Sequence, residues 1–287
     1  MADQTISLHD FAATMRLAEC RVLCRSAAEL ARSSALPRKI RGALGHALAE
    51  FASREAIAGA SCPFDPPSAF DLFHNDQMDV DKGMRLTKPF VIAADAAGDD
   101  LVITLRLFGG ACDWAGEFRA GLVAGARRGI AFGDRRVALD VVGATRGPVD
   151  PPLIPEPGQE LRLRTITDIL FRPQPHSKDA GVRPLARLTG LKSRLEGLAL
   201  WQGEVMIIDE AALSAEIEAA APLVGSTGTL RGPRNIKGRS SFRGELVFPR
   251  AGPILTTFAA LAPILHLGAD TSSGAGRVEF LVAPGAR

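Results

Sequence analysis

The most constraining feature of this chain is its C-terminal order of helix, glycine-rich loop and strand. An apolar run from Ile254 to Leu265 reads as a helix. It empties into Leu267-Gly-Ala-Asp-Thr-Ser-Ser-Gly-Ala-Gly-Arg277, with glycines at 268, 274 and 276, and a short strand follows from Arg277. Glycines at this density let a backbone take positive φ and bring its N–H groups up to a ligand. Arg277 beside them favours an anion, of which phosphate is the commonest. An ordinary tight connection is the competing reading. The order sets aside two well-known phosphate loops. A P-loop needs Gly-x4-Gly-Lys-Ser/Thr opening a helix, and no such string occurs. A dinucleotide fingerprint runs strand, glycines, helix, the reverse of what stands here.

At 287 residues the chain has room for about two domains. Its 46% hydrophobic and 23% charged residues are those of an ordinary folded protein. No apolar run approaches the roughly 18 residues of a membrane span, and the first residues lack the basic and apolar regions of a secretory leader. A cytoplasmic protein is expected. Cys20, Cys24, Cys62 and Cys112 form no CxxC pair, so free thiols are expected rather than zinc or disulfides. The net charge of +2 is uninformative. Arginine outnumbers lysine, though, and its planar fork suits phosphate. With no tyrosine and two tryptophans, base stacking on aromatics has little to draw on.

Residues 17–25 alternate, with Ala18, Cys20, Val22 and Cys24 on one side and Glu19, Arg21, Leu23 and Arg25 on the other. That is the period of a strand; a helix over 19–31 is the alternative. From Leu36 to Phe51, Pro37 suits a first helical turn. Ile40, Leu44, Leu48 and Phe51 make one apolar stripe. Arg38, Lys39 and Arg41 then crowd the first turn, where cations oppose the helix dipole. Such a cost is more readily carried where an anion shares the site. Strands are predicted over 88–92, 100–109 and 136–142 and a helix over 114–128, an α/β sandwich with helices on one sheet face. Five prolines between Gly147 and Gly158 mark a boundary. A strand over 159–171, a helix over 184–201, a short helix over 214–223, and strands over 227–230 and 245–248 follow. The predicted organisation is an N-terminal domain over 1–147, a linker over 148–158 and a C-terminal domain over 159–287.

The string His266, Gly268, Thr271, Gly274, Gly276 and Arg277 resembles the C-terminal glycine-rich loop of the RAMP superfamily of CRISPR systems. Four upstream landmarks resemble the same family in the same order: Leu36-Pro with Arg41-Gly-Ala-Leu-Gly-His-Ala-Leu48, Cys62-Pro-Phe, Lys88-Pro-Phe-Val-Ile92 and Leu105-Arg-Leu-Phe-Gly109. Within the superfamily the chain looks most like the endoribonucleases that process CRISPR precursor RNA. The resemblance implies an α+β fold of two tandem ferredoxin-like (RRM-like) domains closed by a glycine-rich loop. It implies metal-independent cleavage of a repeat hairpin by ribose 2′-OH attack, leaving a 2′,3′-cyclic phosphate, with no cofactor. The implied partners are CRISPR repeat RNA and other subunits of a CRISPR effector complex. A non-catalytic RNA-binding RAMP subunit is the alternative function.

The reaction needs a base for the 2′-OH, an acid for the leaving oxygen and cations for the phosphorane. Many family members use a histidine near the first helix, often with Tyr and Lys; a chain without tyrosine departs from that pattern. His46 in the first helix is a catalytic candidate, with a partly buried structural histidine as its other reading. Arg38 is the first candidate for phosphorane stabilisation. Arginine is a poor general base at a pKa above about 12, so a site resting on it would turn over slowly. The RNA-binding candidates are Arg21, Arg25, Lys39 and Arg41, the basic stretch Arg231, Arg234, Lys237, Arg239 and Arg243, and the loop residues Gly268, Gly274, Gly276 and Arg277. His74 is a lesser candidate, His266 a loop-orienting residue, and His9 and His176 surface residues. The helix with Arg183, Arg187, Lys192 and Arg194 either meets an RNA groove or faces water.

Overall fold

The computed structural model describes residues 4–60, 63, 68–74, 79–80, 84–85, 87–132, 134–171, 183–231 and 239–281. Along the chain the main elements begin with β1 (Gln4–Ser7), α1 (Leu8–Thr14), β2 (Leu17–Arg25), α2 (Leu36–Leu48), β3 (Phe90–Ala97), β4 (Asp100–Phe108), α3 (Ala115–Arg128) and β5 (Asp140–Pro148). Then come β6 (Leu161–Thr165), β7 (Ile169–Phe171), α4 (Pro184–Thr189), α5 (Leu191–Leu200), β8 (Glu204–Ile207), α6 (Glu210–Ala220), β9 (Gly225–Arg231), β10 (Ser240–Phe248), α7 (Pro253–Leu265) and β11 (Val278–Leu281). They form two compact units, Arg16–Asp150, and Met1–Met15 with Pro151–Arg287.

In the Arg16–Asp150 unit the sheet order is β3-β4-β2-β5, antiparallel throughout. The alternation read in residues 17–25 is that of β2. Cys20, Val22 and Cys24 are wholly buried, and the Cys20 thiol donates to the Ala115 carbonyl at the start of α3. This face therefore lies under α3, and by the two-residue period of a strand Arg21 and Arg25 point to the other face. α2 buries Leu36, Ile40, Leu44 and Leu48. It lies close on α3: a Cβ on Gly125 would stand 2.9 Å from the Ala43 carbonyl carbon. Phe90, Phe108 and Phe118 complete the core, each contributing about 1.5–3 kcal/mol of burial. Phe51, expected on the buried stripe, is 62% exposed. α2 ends at Leu48, and Ala49–Phe51 form a tighter 3-10 turn, so the helical period no longer applies there.

In the other unit β10 is the central strand. It pairs with β9 on one edge and with β6 and β7 on the other, and β11 follows β6, all antiparallel. The predicted strand over 159–171 is thus two strands, interrupted at 166–168. The predicted helix over 184–201 is likewise two helices, parted at Gly190. α7 is buried almost all round, as its apolar composition requires. The first residues join this unit: β1 pairs in parallel with β8, Gln4 to Ser7 against Glu204 to Ile207, and α1 packs on α7. The boundary predicted at 1–147 puts this segment in the N-terminal domain instead. Its partner β8 lies some two hundred residues on, so nothing local announces the pairing. Among the described residues no helix is long and apolar enough to cross a membrane.

Candidate nucleic-acid interface

In the Arg16–Asp150 unit the outer face of α2 carries Arg38 and His46, both exposed. Neither is tied to another described residue. They stand eight residues apart, about 12 Å along the helix and roughly 80° around it. Gly42 lies between them, and a Cβ there would meet nothing within 4 Å. The helix so presents a bare patch of backbone flanked by an arginine and a histidine. Lys39 is otherwise occupied. Its Nζ donates to the Ala131 carbonyl at 2.7 Å and lies 4.0 Å from the Phe132 ring centroid, which binds α2 to the short strand Ile130–Phe132 after α3. Arg41 is half-buried.

Arg21 and Arg25 do not join this patch, because β2 aims them at the opposite sheet face. There Glu19 holds two arginines. Arg21 donates Nε and Nη2 to Oε2 at 2.9 and 2.6 Å, and Arg106, directly across on β4, donates Nε to Oε1 at 3.0 Å. Burial pushes the Glu19 carboxyl up, but the hydrogen bonds and charges of Arg106 and Arg21 outweigh it and leave the group below its ordinary range. Arg25 makes a loose pair with Asp140 at 3.7 Å, exposed on both sides, which contributes little. Cys20, Cys24 and Cys112 are free thiols that burial pushes up to about 11, so they stay protonated near neutral pH. Cys62 lies outside the described residues.

The glycine-rich loop belongs to the other unit, and its backbone is turned inward. Gly276 N–H donates to the Asp168 carbonyl at 2.9 Å and its own carbonyl accepts from Leu267 N–H at 2.7 Å. Ala269 N–H donates to the Leu170 carbonyl at 2.8 Å. The Thr167 hydroxyl donates to the Gly274 carbonyl at 2.8 Å and accepts from Arg277 N–H at 2.9 Å. Two glycines are sterically required: at φ +80° a Cβ on Gly268 would lie 2.4 Å from the Leu170 oxygen, and at φ +73° one on Gly276 would lie 1.7 Å from the Leu267 oxygen. The loop is laced onto the 166–168 interruption that parts β6 from β7 and onto Leu170 of β7. His266, at the end of α7, is 2% exposed with φ +65°.

The basic stretch divides. Arg231 is exposed at the end of edge strand β9. Arg243 lies within β10, donating to the Ile166 carbonyl at 3.2 Å, with Asp168 at 3.9 Å. Arg239 is mostly covered and pairs with Asp270. Arg234, Lys237 and His176 lie outside the described residues, as does the side chain of His74. Arg187 and Arg194 do not simply face water: Arg187 lies over the Phe171 ring and Arg194 donates to the Thr271 hydroxyl of the glycine loop. Lys192 is paired with Glu196 and Glu210, each at 2.8 Å. The sequence pattern includes Glu19, Arg106 and Thr271 without pointing to their pairings, and it does not single out Thr167. Among the described residues no three His, Cys, Asp or Glu side chains converge in a metal-binding group.

The family model of the AF_1859_N N-terminal domain matches residues 15–165. Among solved structures, the chain is similar to the product complex of Cas6 (TTHB231) from Thermus thermophilus, at a TM-score of 0.55 and 15% identity, over 94% of this chain and 100% of that one. It is similar to the product complex of Cas6 (TTHA0078) at a TM-score of 0.53 and 16% identity, again over 94% and 100%. At this identity the likeness is one of fold: a mixed α/β fold with several antiparallel sheets, shared along nearly the whole chain. A comparison with curated proteins returns no match.

Proposed function

The chain belongs to the AF_1859_N family through its residues 15–165, and we propose that it is a metal-independent endoribonuclease that processes CRISPR precursor RNA. It binds the repeat hairpin, cleaves by 2′-OH attack to leave a 2′,3′-cyclic phosphate, and holds on to its product. The observation that supports this reading most is the outer face of α2. Arg38 and His46 stand there exposed and untied to other described residues, on a fold similar over 94% of the chain to two Cas6 product complexes. We read both units as ferredoxin-like: the first has α2 and α3 between strands ordered β3-β4-β2-β5, and the second has α4 to α6 ahead of β9 and α7 ahead of β11, with β10 between β9 and β6.

In this mechanism His46 takes the 2′-OH proton or returns one to the leaving oxygen. Arg38 stabilises the charge that builds on the phosphorane. Gly42, with no side chain between them, lets the sugar–phosphate backbone lie against the helix. Arg231 and Arg243 contact phosphates in the other unit. Lys39 and Arg239 serve the fold before they serve RNA.

The test is incubation of the protein with repeat RNA in EDTA, with analysis of the ends. Cleavage to a cyclic phosphate is expected, falling by about 10²-fold or more in His46→Ala and Arg38→Ala. Full activity in both variants would remove the site from α2. Tight binding with no cut favours a non-catalytic RNA-binding subunit. That reading draws its own support from the absence of tyrosine and from the engagement of Lys39 with Ala131 and Phe132.

A further inference from the structure

Three arginines from separate elements gather at the turn of the glycine-rich loop. Arg187 of α4 stacks on Phe171, its guanidinium carbon 4.5 Å from the ring centroid. Arg194 of α5 donates to Thr271. Arg239, just before β10, pairs with Asp270. The backbone brings their partners together: Ser240, next to Arg239, stands opposite Phe171 in the β7–β10 pair, and Leu170 bridges to Ala269.

Asp270 answers one of these charges. Among the described residues Arg194 has only a neutral hydroxyl, and its Nε and Nη2 are shut off from solvent with no acceptor among them. Arg187 Nε is in the same condition. Burial presses the Arg194 guanidinium down to about 10. Arg187 is lowered by burial and then by the charge of Arg183. A covered cation without a counter-ion is strongly unfavourable, and an arginine fork of this kind takes a tetrahedral oxyanion through two parallel N–H bonds.

We propose that Arg194 and Thr271, with Arg187 supplying a second charge, form a phosphate-binding site beside the glycine-rich loop. The loop amides of Gly276 and Ala269 are engaged within the fold, so the phosphate is taken by side chains. The same chemistry is offered by a phosphodiester of bound RNA and by a free phosphate group. The RNA source rests on the function proposed above; the phosphate site does not.

The full chain, Arg194→Met and Arg187→Met are to be unfolded thermally in inorganic phosphate and in sodium chloride of equal ionic strength. Phosphate raises the wild-type midpoint, as a ligand of the native state does. Without phosphate, Arg194→Met unfolds at or above the wild-type midpoint, because an unanswered charge is gone, and phosphate no longer shifts it. No phosphate shift in the wild type, or a lower chloride midpoint in Arg194→Met together with an unchanged phosphate shift, overturns the site. Should Arg194→Met fail to fold, Arg187→Met decides the matter: its phosphate binding weakens roughly tenfold, and unchanged binding overturns the site. Fluorescence anisotropy with labelled repeat RNA separates the sources. A roughly tenfold loss of RNA affinity in Arg194→Met assigns the site to a phosphodiester; unchanged RNA affinity beside a lost phosphate shift assigns it to a free phosphate group. Neither result depends on whether the RNA is cut.

Discussion

Replacing Glu19 with Gln isolates the charge at the centre of the β2–β4 pair. The glutamine keeps the shape and one acceptor oxygen but leaves two guanidinium groups without a carboxylate. Glu19 is 6% exposed, Arg106 23% and Arg21 62%. Breaking a buried ion pair from one side costs about 3–5 kcal/mol. Arg106 is only partly covered and Arg21 mostly in water, so the expected loss is about 2–3 kcal/mol. For a unit of this size that is a fall in midpoint on the order of 10 °C. Arg21→Ala, which removes the solvated member, should cost under about 1 kcal/mol. The pH dependence follows from the depressed carboxyl. Its folded-state pKa lies below the ordinary value of 4.5, so its stabilisation is complete above that value and is lost as pH falls through the folded pKa. Thermal unfolding followed by circular dichroism at pH 7 and at pH 3 should show a wide gap between wild type and Glu19→Gln that narrows in acid. A gap of equal width at both pH values, or no gap at neutral pH, would refute the assignment of this stability to the Glu19 charge.

Gly276→Ala should lower stability by about 3 kcal/mol or more, since it combines left-handed strain with loss of the Leu267–Gly276 hydrogen bond; the shift in urea midpoint measures it. Gly42→Ala should do the opposite and stabilise α2 by about 0.5–1 kcal/mol. Its thermal midpoint rises, while a fall in RNA affinity in the same variant would mark the bare helix patch as a contact. Arg231→Ala should leave stability unchanged and reduce the slope of RNA binding against log salt by about one, read by filter binding over a sodium chloride series.

What the sequence discloses here is whatever depends on near neighbours. The period of residues 17–25 gives β2 and its two faces, and the proline and stripe of α2 give that helix. The glycines give a loop that must take positive φ, and the observed angles at Gly268, Gly274 and Gly276 agree. Period assigns a face but not its burial: Glu19 sits on the polar side of β2, yet it is covered, because Arg106 reaches it from 87 residues away. Phe51 fails for a related reason, as extrapolating a helical stripe beyond the last helical residue assumes a rotation the chain no longer makes.

The glycines of the loop serve first to close the loop on its own unit. Glycines that close a turn against 166–170 bring backbone donors to the Asp168 and Leu170 carbonyls, and a donor so engaged is not offered to a ligand. The same closure carries Asp270 and Thr271 to the guanidinium groups of Arg239 and Arg194. The anion expected of the amides is therefore better sought at the arginines, where a charge stands covered and unanswered. A loop tightened by glycine positions side chains as firmly as it positions its own backbone, and only the three-dimensional arrangement tells which of the two is left facing the ligand.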